Sequence, residues 1–339
     1  MNKLIKKSMT LFAVVSMGAV MMGAAPASSV NKEVIPAVQL VEAVQRPLLI
    51  QGAMDVETEI MMAALENPED ITLGVWKYTK GTLNGYPVVI SRTRIGMVNA
   101  AASTTLAIEH FNPVAIINQG TAGGHDPELH KYDIVLGKEV VNMGAFKTDF
   151  TEKGDGIHPT TWKPMTLEII DKETGEWTEV GSFPADETLL AAANSVKDTY
   201  TKGKIVEGTV GSADEWNKEI DRILWLNETL GTSAEEMETA AAAQIAATYN
   251  IPFLSIRILS NNEVHKEVYD RTTGEDSQAF TLEVAKAYIN DYLLAETKEA
   301  PLTTEATTKT NYYILHKSQP KNTGLFMSCV FYNLSNFLL

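Results

Sequence analysis

Cysteine is nearly missing from this chain of 339 residues, where the single cysteine, Cys329, lies close to the C-terminal end. One cysteine cannot form a disulfide within the chain, and its position leaves no thiol for chemistry in the core. Six histidines are present, but none shows the His-x-x-x-His or cysteine-based spacing of a metal site. We therefore expect neither an internal disulfide nor a bound metal.

Basic residues are also scarce. The chain has 28 lysines and arginines against 43 acidic residues, which gives a net charge of −15. Without the three lysines at its N-terminal end the charge becomes about −18. Nucleic acids and anionic membranes repel a protein of this charge. We therefore expect neither as a partner, and the charge also disfavours a highly phosphorylated substrate.

Residues 1–27 have the pattern of a secretory signal peptide. Three lysines precede the apolar stretch 9–25, and Ala25-Pro26-Ala27 offers small residues for cleavage. The apolar stretch is too short to favour a membrane span, so we expect export of the mature protein. Residues 299–339 differ in composition and form a tail of unknown role, which leaves 28–298 as one large domain.

Apolar runs that are typical of strands alternate with helical patterns along this domain. The runs are 48–50, 88–91, 115–118, 134–136 and 253–259, and the helical patterns include 97–111, 187–199 and a final helix over 277–294. This alternation predicts a mostly parallel sheet flanked by helices. Asn84-Gly85 predicts a hairpin turn. The polar segment 144–181 fits a lid, an oligomer-contact loop or an ordinary surface insertion.

Four segments place small and acidic residues where predicted strands end. They are 51–59, 115–124, 235–243 and 252–262. In open α/β sheets, ligands bind beyond the carboxyl ends of the strands, so the four segments are candidates for one site. The third segment holds three carboxylates around Met237, and if it is extended, Glu236 and Glu238 share a face.

In this order and spacing, the four segments resemble the methylthioadenosine/S-adenosylhomocysteine nucleosidases of the nucleoside phosphorylase superfamily. The resemblance runs from about residue 46 to about residue 294 and rests on four motifs. They are Gly52-Ala53-Met54 with Glu57, the turn Thr121-Ala122-Gly123-Gly124, Met237-Glu238 before a helix, and Arg257 with Ser260 and Asn261 at a strand end. It implies a three-layer α/β/α fold with a central mixed, mostly parallel sheet, a homodimer, and hydrolysis of a small purine nucleoside without metal or redox cofactor.

The same resemblance implies roles for individual residues. Glu57 corresponds to the general base that activates water, and the alternative is a helix-start carboxylate. Glu238 corresponds to the carboxylate that contacts the ribose hydroxyls and stabilises positive charge. Arg257 corresponds to the arginine that orients Glu238.

Other positions correspond to contacts with the substrate. Thr121, Ala122 and Gly123 match the turn beneath ribose and base, for which a plain tight turn is the alternative. Met237 would pack on the sugar, and Ile95 would contact the 5′ substituent. Trp216 matches an aromatic that stacks on the purine, and a core tryptophan is the alternative. Ser260 completes the set of predicted substrate-binding residues.

Asn261 departs from the family pattern, which has an aspartate that protonates N7 of the purine. An amide is no acid near neutral pH, and general acid catalysis contributes roughly 10²–10⁴-fold. Two alternatives to the parent activity therefore follow: a nucleosidase for 6-oxopurine nucleosides, or a non-catalytic protein that binds or stores nucleosides. Asn261 nevertheless remains a candidate catalytic residue together with Glu57 and Glu238.

The first loop also bears on the nucleophile. A phosphorylase needs cationic or backbone donors for phosphate, whereas this loop carries Asp55, Glu57 and Glu59. Hydrolysis is therefore favoured. Arg92 and Arg94 lie close to Ile95 in sequence and keep phosphorolysis open as an alternative.

Overall fold

The computed structural model of this chain describes residues 45–295. The predicted signal peptide at 1–27 and the tail at 299–339 lie outside the described residues, and so do residues 28–44. Within 45–295, none of the helices combines the length and the apolar character that a membrane crossing requires.

Strands and helices alternate along most of the described chain. The strands are β1 (Leu48–Gly52), β2 (Glu66–Leu73), β3 (Trp76–Leu83), β4 (Tyr86–Arg92), β5 (Ala115–Gly124), β6 (Ile134–Asn142), β7 (Phe146–Lys147), β8 (Lys163–Pro164), β9 (Leu167–Ile170), β10 (Trp177–Val180), β11 (Phe183–Pro184), β12 (Ile205–Ser212), β13 (Thr232–Glu236) and β14 (Phe253–Asn261). The helices are α1 (Glu59–Ala64), α2 (Met97–Phe111), α3 (Glu187–Ser195), α4 (Ile220–Leu230), α5 (Thr239–Thr248) and α6 (Thr273–Tyr288), which continues as a π-helical turn over Ile289–Leu293.

Ten of the strands form one mixed sheet. Its order is β11-β6-β12-β13-β5-β1-β4-β3-β2, and β14 pairs with both β5 and β6. The strands β6, β12, β13, β5 and β14 therefore close into a ring. Parallel and antiparallel pairings are equally frequent, with the parallel ones at the centre around β1, β5, β12 and β14.

Helices cover both faces of this sheet. Along β1, Leu48 and Ile50 belong to the core on the side of α1, α3 and α6, whereas Leu49 belongs to the core on the side of α2 and α5. Successive side chains of a strand point to opposite faces, so a fully apolar strand is buried by both layers. The predicted fold class, a mixed sheet between helices in a nucleoside phosphorylase-like arrangement, is confirmed.

The predicted strands and helices hold with small shifts in their bounds, but the turn predicted at 121–124 is wrong, because β5 continues to Gly124. All five strand-like runs are strands, and the helix at 97–111 is α2. The helix predicted at 187–199 ends at Ser195 and is followed by a 3-10 turn, and the final helix begins at Thr273. The hairpin at Asn84-Gly85 is confirmed, because both residues have positive φ in the turn between β3 and β4.

The polar segment 144–181 is an insertion on the surface. It contains β7 and β8, which pair with each other, and β9 and β10, which form a second two-stranded sheet. Ile169 of β9 packs in the core on the side of α5. No residue of this segment lines the pocket at the strand ends, so the arrangement does not support a lid. A role in oligomer contacts stays a prediction.

A substitution at Ile256 tests how much β14, the strand that closes the ring, contributes to the stability of the fold. This side chain is fully buried in the core, and Ile256→Ala should lower the free energy of unfolding by about 2–5 kcal/mol because it leaves a cavity. Denaturant unfolding followed by circular dichroism measures this loss. Val268→Ala serves as the control, since Val268 is 78% exposed and should change the stability by less than about 0.5 kcal/mol. Equal losses in both variants would contradict the packing described here.

Candidate active site

A pocket opens where several strands of the sheet end. The segments that follow β1, β4 and β12 line it together with the last residues of β5, β13 and β14. It encloses about 630 Å³, part of it at its open mouth. Because the central strands are parallel, their carboxyl ends meet at one edge of the sheet, which is where ligands bind in such folds.

Glu57 lies at the bottom of this pocket on the 3-10 turn after β1. Its carboxylate accepts hydrogen bonds from the backbone amides of Ala53 and Met54, each at 3.0 Å, and from the amide and hydroxyl of Thr121 at 2.8 and 3.0 Å. A Cβ at Gly120 would lie 2.7 Å from Glu57 Oε1, so glycine at that position leaves room for the carboxylate. These donors fix its orientation toward the cavity.

The prediction that Arg257 orients Glu238 is wrong, because Arg257 pairs with Glu236 instead. Its Nη2 lies 2.7 Å from Glu236 Oε2, and both side chains are 2% exposed. The guanidinium also donates to the backbone carbonyl of Asn118 at 3.0 Å and to Thr239 Oγ1 at 2.6 Å. Among the described residues it forms no hydrogen bond or ion pair with Glu238, and it does not line the pocket.

Arg257 pairs with Glu236 rather than Glu238 because the chain turns directly after β13. Glu236 is the last residue of that strand, and its carboxylate accepts the backbone amides of Glu238 and Thr239, each at 3.0 Å. It also accepts the hydroxyl of Ser212. The extended backbone therefore ends at Glu236, which turns toward Arg257, while Glu238 stands at the start of α5 with its Oε1 2.8 Å from the amide of Gly96.

The predicted substrate-binding residues other than Arg257 gather around the same cavity. They are Ile95, Thr121, Ala122, Gly123, Trp216, Met237 and Ser260. Trp216 is 59% exposed, so the core-tryptophan alternative is wrong. Its ring makes an edge contact with Tyr269 at 5.6 Å between centroids, and Ile95 is 52% exposed near the same opening.

Asn261 is buried and lines the pocket at the end of β14. Its Oδ1 lies 3.1 Å from the Ser260 hydroxyl, and its Nδ2 lies 3.4 Å from Glu263 Oε1. The Ser260 hydroxyl also reaches the carbonyl of Ala122 at 3.0 Å, and its single hydrogen serves one of these acceptors at a time. The amide is therefore held by its neighbours Ser260 and Glu263 and lines the pocket.

Several lining residues have no predicted role. They are Ala53, Met54, Glu215, Glu235, Glu236 and Tyr269. Ala53 and Met54 belong to the first motif, and Glu215 adjoins Trp216. Glu235 and Glu236 stand in the acidic stretch before Met237, so the sequence did contain a signal for them. Within 45–295, no group of three or more His, Cys, Asp or Glu side chains is arranged to hold a metal ion.

Comparison with known proteins shows the family of this chain. The family model of the phosphorylase superfamily matches residues 47–290. A 5′-methylthioadenosine/S-adenosylhomocysteine nucleosidase from Psychromonas ingrahamii is 33% identical over 214 residues, which are 62% of this chain and 84% of that relative. The chain belongs to this nucleosidase family within the phosphorylase superfamily. Its named members are N-glycosyl hydrolases.

Two solved nucleosidases of the family have the same architecture. The one from Neisseria meningitidis, in complex with methylthio-immucillin-A, has a TM-score of 0.58 and 25% identity, and the alignment covers 71% of this chain and 99% of that one. The one from Colwellia psychrerythraea, in complex with adenine, has a TM-score of 0.58 and 26% identity, with 72% and 96% covered.

The carboxylates of this nucleosidase differ in their electrostatics. Burial, together with the nearby charges of Glu236 and Glu57, raises the pKa of Glu238 well above its usual range, and the Gly96 amide and Arg257 only partly oppose this shift. Burial also acts to raise the pKa of Glu236, but Arg257, the Ser212 hydroxyl and the Thr239 amide outweigh it and hold that pKa below its usual range. Two neighbouring carboxylates therefore favour opposite protonation states.

This difference predicts opposite pH-dependent effects of two matched substitutions. The unfolded chain ionises Glu238 near pH 4.5, whereas the folded protein retains the proton, so stability is lost as the pH rises toward the folded-state pKa. Glu238→Gln should therefore raise Tm relative to wild type by an amount that is small at pH 4 and grows toward pH 8. Each kcal/mol corresponds to about 2–4 °C in a domain of this size.

Glu236→Gln should do the reverse, because the depressed pKa of Glu236 stabilises the fold above pH 4.5. It should lower Tm at neutral pH, and the deficit should shrink as the pH falls through the folded-state pKa. Thermal unfolding of both variants and wild type between pH 4 and pH 8 measures these differences. A Glu238→Gln variant that is less stable than wild type at pH 8 would contradict the assigned protonation of Glu238.

Proposed function

We propose that this chain is a purine nucleosidase that hydrolyses the N-ribosidic bond of nucleosides of the methylthioadenosine and S-adenosylhomocysteine type. The observation that carries the proposal is that two buried carboxylates, Glu57 and Glu238, lie in one pocket and that their charges interact. The exposed ring of Trp216 stands at the same pocket and is available to stack on a base.

In this proposal water attacks the anomeric carbon of the ribose. The water oxygen bonds that carbon while a water proton passes to Glu57, and the electron pair of the C–N bond leaves with the base. A general base must lie within hydrogen-bond reach of the proton that it takes. The donors around Glu57 hold its carboxylate at the cavity, which supports this role.

Glu238 is suited to the sugar. Glu238 can exchange hydrogen bonds with the ribose hydroxyls, and positive charge that develops on the ribose attracts its carboxyl oxygens. The interaction is therefore stronger in the transition state than in the ground state, which is the condition for an electrostatic contribution to the rate. Met237, adjacent in the chain, supplies apolar contact for the sugar.

The donors near the nucleophile position support water over phosphate. The backbone amides of Ala53, Met54 and Thr121 are already bonded to the carboxylate of Glu57. Arg92 lies 2.5 Å from Asp55 and is thereby neutralised, and Arg94 is exposed and does not line the pocket. A phosphate dianion would meet a carboxylate where it needs donors.

The amide of Asn261 supports a second candidate, a nucleosidase for 6-oxopurine nucleosides. An amide donates to N7 or O6 and accepts from N1–H, but it cannot deliver a proton to adenine N7. A site built for one donor pattern discriminates strongly against the other. Glu57 and Glu238 support an enzyme over a protein that only binds or stores nucleosides.

Release of free base tests the proposal directly. The full chain is incubated with methylthioadenosine, S-adenosylhomocysteine, inosine and guanosine, with and without inorganic phosphate, and the base and sugar products are quantified by chromatography. We expect free ribose products at rates that do not depend on phosphate. Glu57→Gln, which preserves the side-chain volume, should lower kcat by roughly 10²–10⁴-fold because it removes the base. Ribose 1-phosphate as the main product, or full activity of Glu57→Gln, would contradict the mechanism.

Asn261→Asp tests the base end of the pocket. An aspartic acid can protonate N7, so the substitution should raise kcat/KM for methylthioadenosine by about tenfold or more and lower it for inosine. Steady-state kinetics on both nucleosides measure the change, and the ratio of the two values removes any general effect on folding. If the wild type already cleaves methylthioadenosine rapidly and Asn261→Asp brings no gain, another group supplies the proton.

Export and a homodimeric state remain predictions. Export rests on the N-terminal pattern at 1–27, and the dimer rests on the family resemblance alone.

A further inference from the structure

Glu235 is a buried carboxylate that the mechanism proposed above does not use. It precedes Glu236 at the end of β13, is 7% exposed and lines the same pocket as Glu57 and Glu238. A buried charge is costly unless polar partners compensate it, so the groups around Glu235 indicate what holds it there.

Asn217 and His125 are the neighbours that hold Glu235. The backbone amide of Asn217 donates to its Oε1 at 3.0 Å, and the side-chain Nδ2 of Asn217 donates to its Oε2 at 2.5 Å. His125 Nε2 lies 3.0 Å from the same Oε2, within ion-pair distance but outside hydrogen-bond geometry. His125 is fully buried, and its Nδ1 lies 2.8 Å from Thr232 Oγ1.

These partners leave Glu235 with capacity for a ligand. A carboxylate offers about four lone-pair positions on its two oxygens, and the neighbours named above use at most three. Glu235 is thus anchored, lines the pocket and keeps the capacity to accept a further hydrogen bond.

A donor stands beside this acceptor. A Cβ at Gly123 would lie 3.5 Å from Glu235 Oε1 and 3.7 Å from Asn261 Nδ2, so both atoms flank the same point over the floor of the pocket. Glycine at position 123 keeps that space open. A carboxylate oxygen and an amide nitrogen side by side form an acceptor–donor pair that matches the edge of a purine.

We propose that Glu235 recognises the base by accepting a hydrogen bond from an N–H on the edge of the purine ring, while the amide of Asn261 donates to N7 or O6. The inference rests on the proposed nucleosidase function. Its substrate class is purine nucleosides with an N–H at position 1 or 6, which includes both adenine and 6-oxopurine nucleosides. A 6-methoxypurine has neither N–H and places only acceptors opposite the carboxylate.

Three ribosides that differ only in the base test this recognition: adenosine, inosine and 6-methoxypurine riboside. For the wild-type full chain, kcat/KM for the better of the two natural nucleosides should exceed that for 6-methoxypurine riboside by about 10²-fold or more, because the analogue leaves a buried carboxylate unpaired. Glu235→Gln should reduce this ratio to about tenfold or less, since its amide can also donate to the acceptors of the analogue.

Glu228→Gln is the matched control, because Glu228 is exposed on α4 and outside the pocket. It should keep the wild-type ratio. A role of Glu235 in stability alone would lower all three rates together and leave the ratio unchanged, and that result would overturn the proposal. A wild-type ratio near one would overturn it without any variant, even if Glu235→Gln failed to fold.

Binding measured by calorimetry distinguishes a failure of the role of Glu235 from a failure of the proposed nucleosidase function. If neither these ribosides nor methylthioadenosine and S-adenosylhomocysteine are cleaved, the nucleosidase proposal fails, but the same preference measured as a ratio of Kd values would still support recognition by Glu235. Cleavage with equal efficiency for all three bases would leave the nucleosidase proposal intact and overturn the role of Glu235. Absence of both cleavage and binding would overturn both.

Discussion

The ion pair between Arg257 and Glu236 is the interaction on which the rest of the active site depends. It joins the middle of β14 to the end of β13, and both side chains are almost completely removed from solvent. The same carboxylate accepts the first amides of the turn into α5. Two buried charges are tolerated only when they are well paired and hydrogen-bonded, so the backbone has one favourable path at this point. That path directs Met237 and Glu238 into the pocket.

The pair also separates the roles of carboxylates that lie close together. Glu236 is bound to a cation and stays ionised, and its charge adds to burial in raising the pKa of Glu238. Glu57 has only uncharged donors around it. Glu235 has an amide and an imidazole. Arg257 keeps Glu236 ionised, whereas burial and nearby like charges favour the protonated form of Glu238. One acidic pocket can thereby hold groups for the nucleophile, the sugar and the base.

The ring of strands around β14 explains why these groups meet. Strand β14 pairs with β5 in parallel and with β6 in antiparallel orientation, and its register shifts near Leu259 just before Asn261. The shift brings Asn261 opposite Gly123 at the end of β5. Bulges of this kind redirect side chains at sheet ends and next to active sites. The site is therefore built by strands far apart in sequence, and its precision comes from their hydrogen-bonded registers.

Sequence by itself determined β1, β4, β5, β6, β14 and α2 and the identity of most residues that line the site, but it did not predict β12 or β13. Apolar runs, the Asn84-Gly85 turn and the four motifs are local patterns, and local patterns follow from side-chain periodicity and backbone preference. Only the tertiary structure decided that Arg257 pairs with Glu236, that Trp216 is exposed, and that Glu235 stands beside Asn261. Alternation along an extended chain places Glu236 and Glu238 on one face, but β13 ends at Glu236. The partner of a buried charge depends on where a strand stops and which strand lies next to it, and those are long-range properties that no short segment encodes.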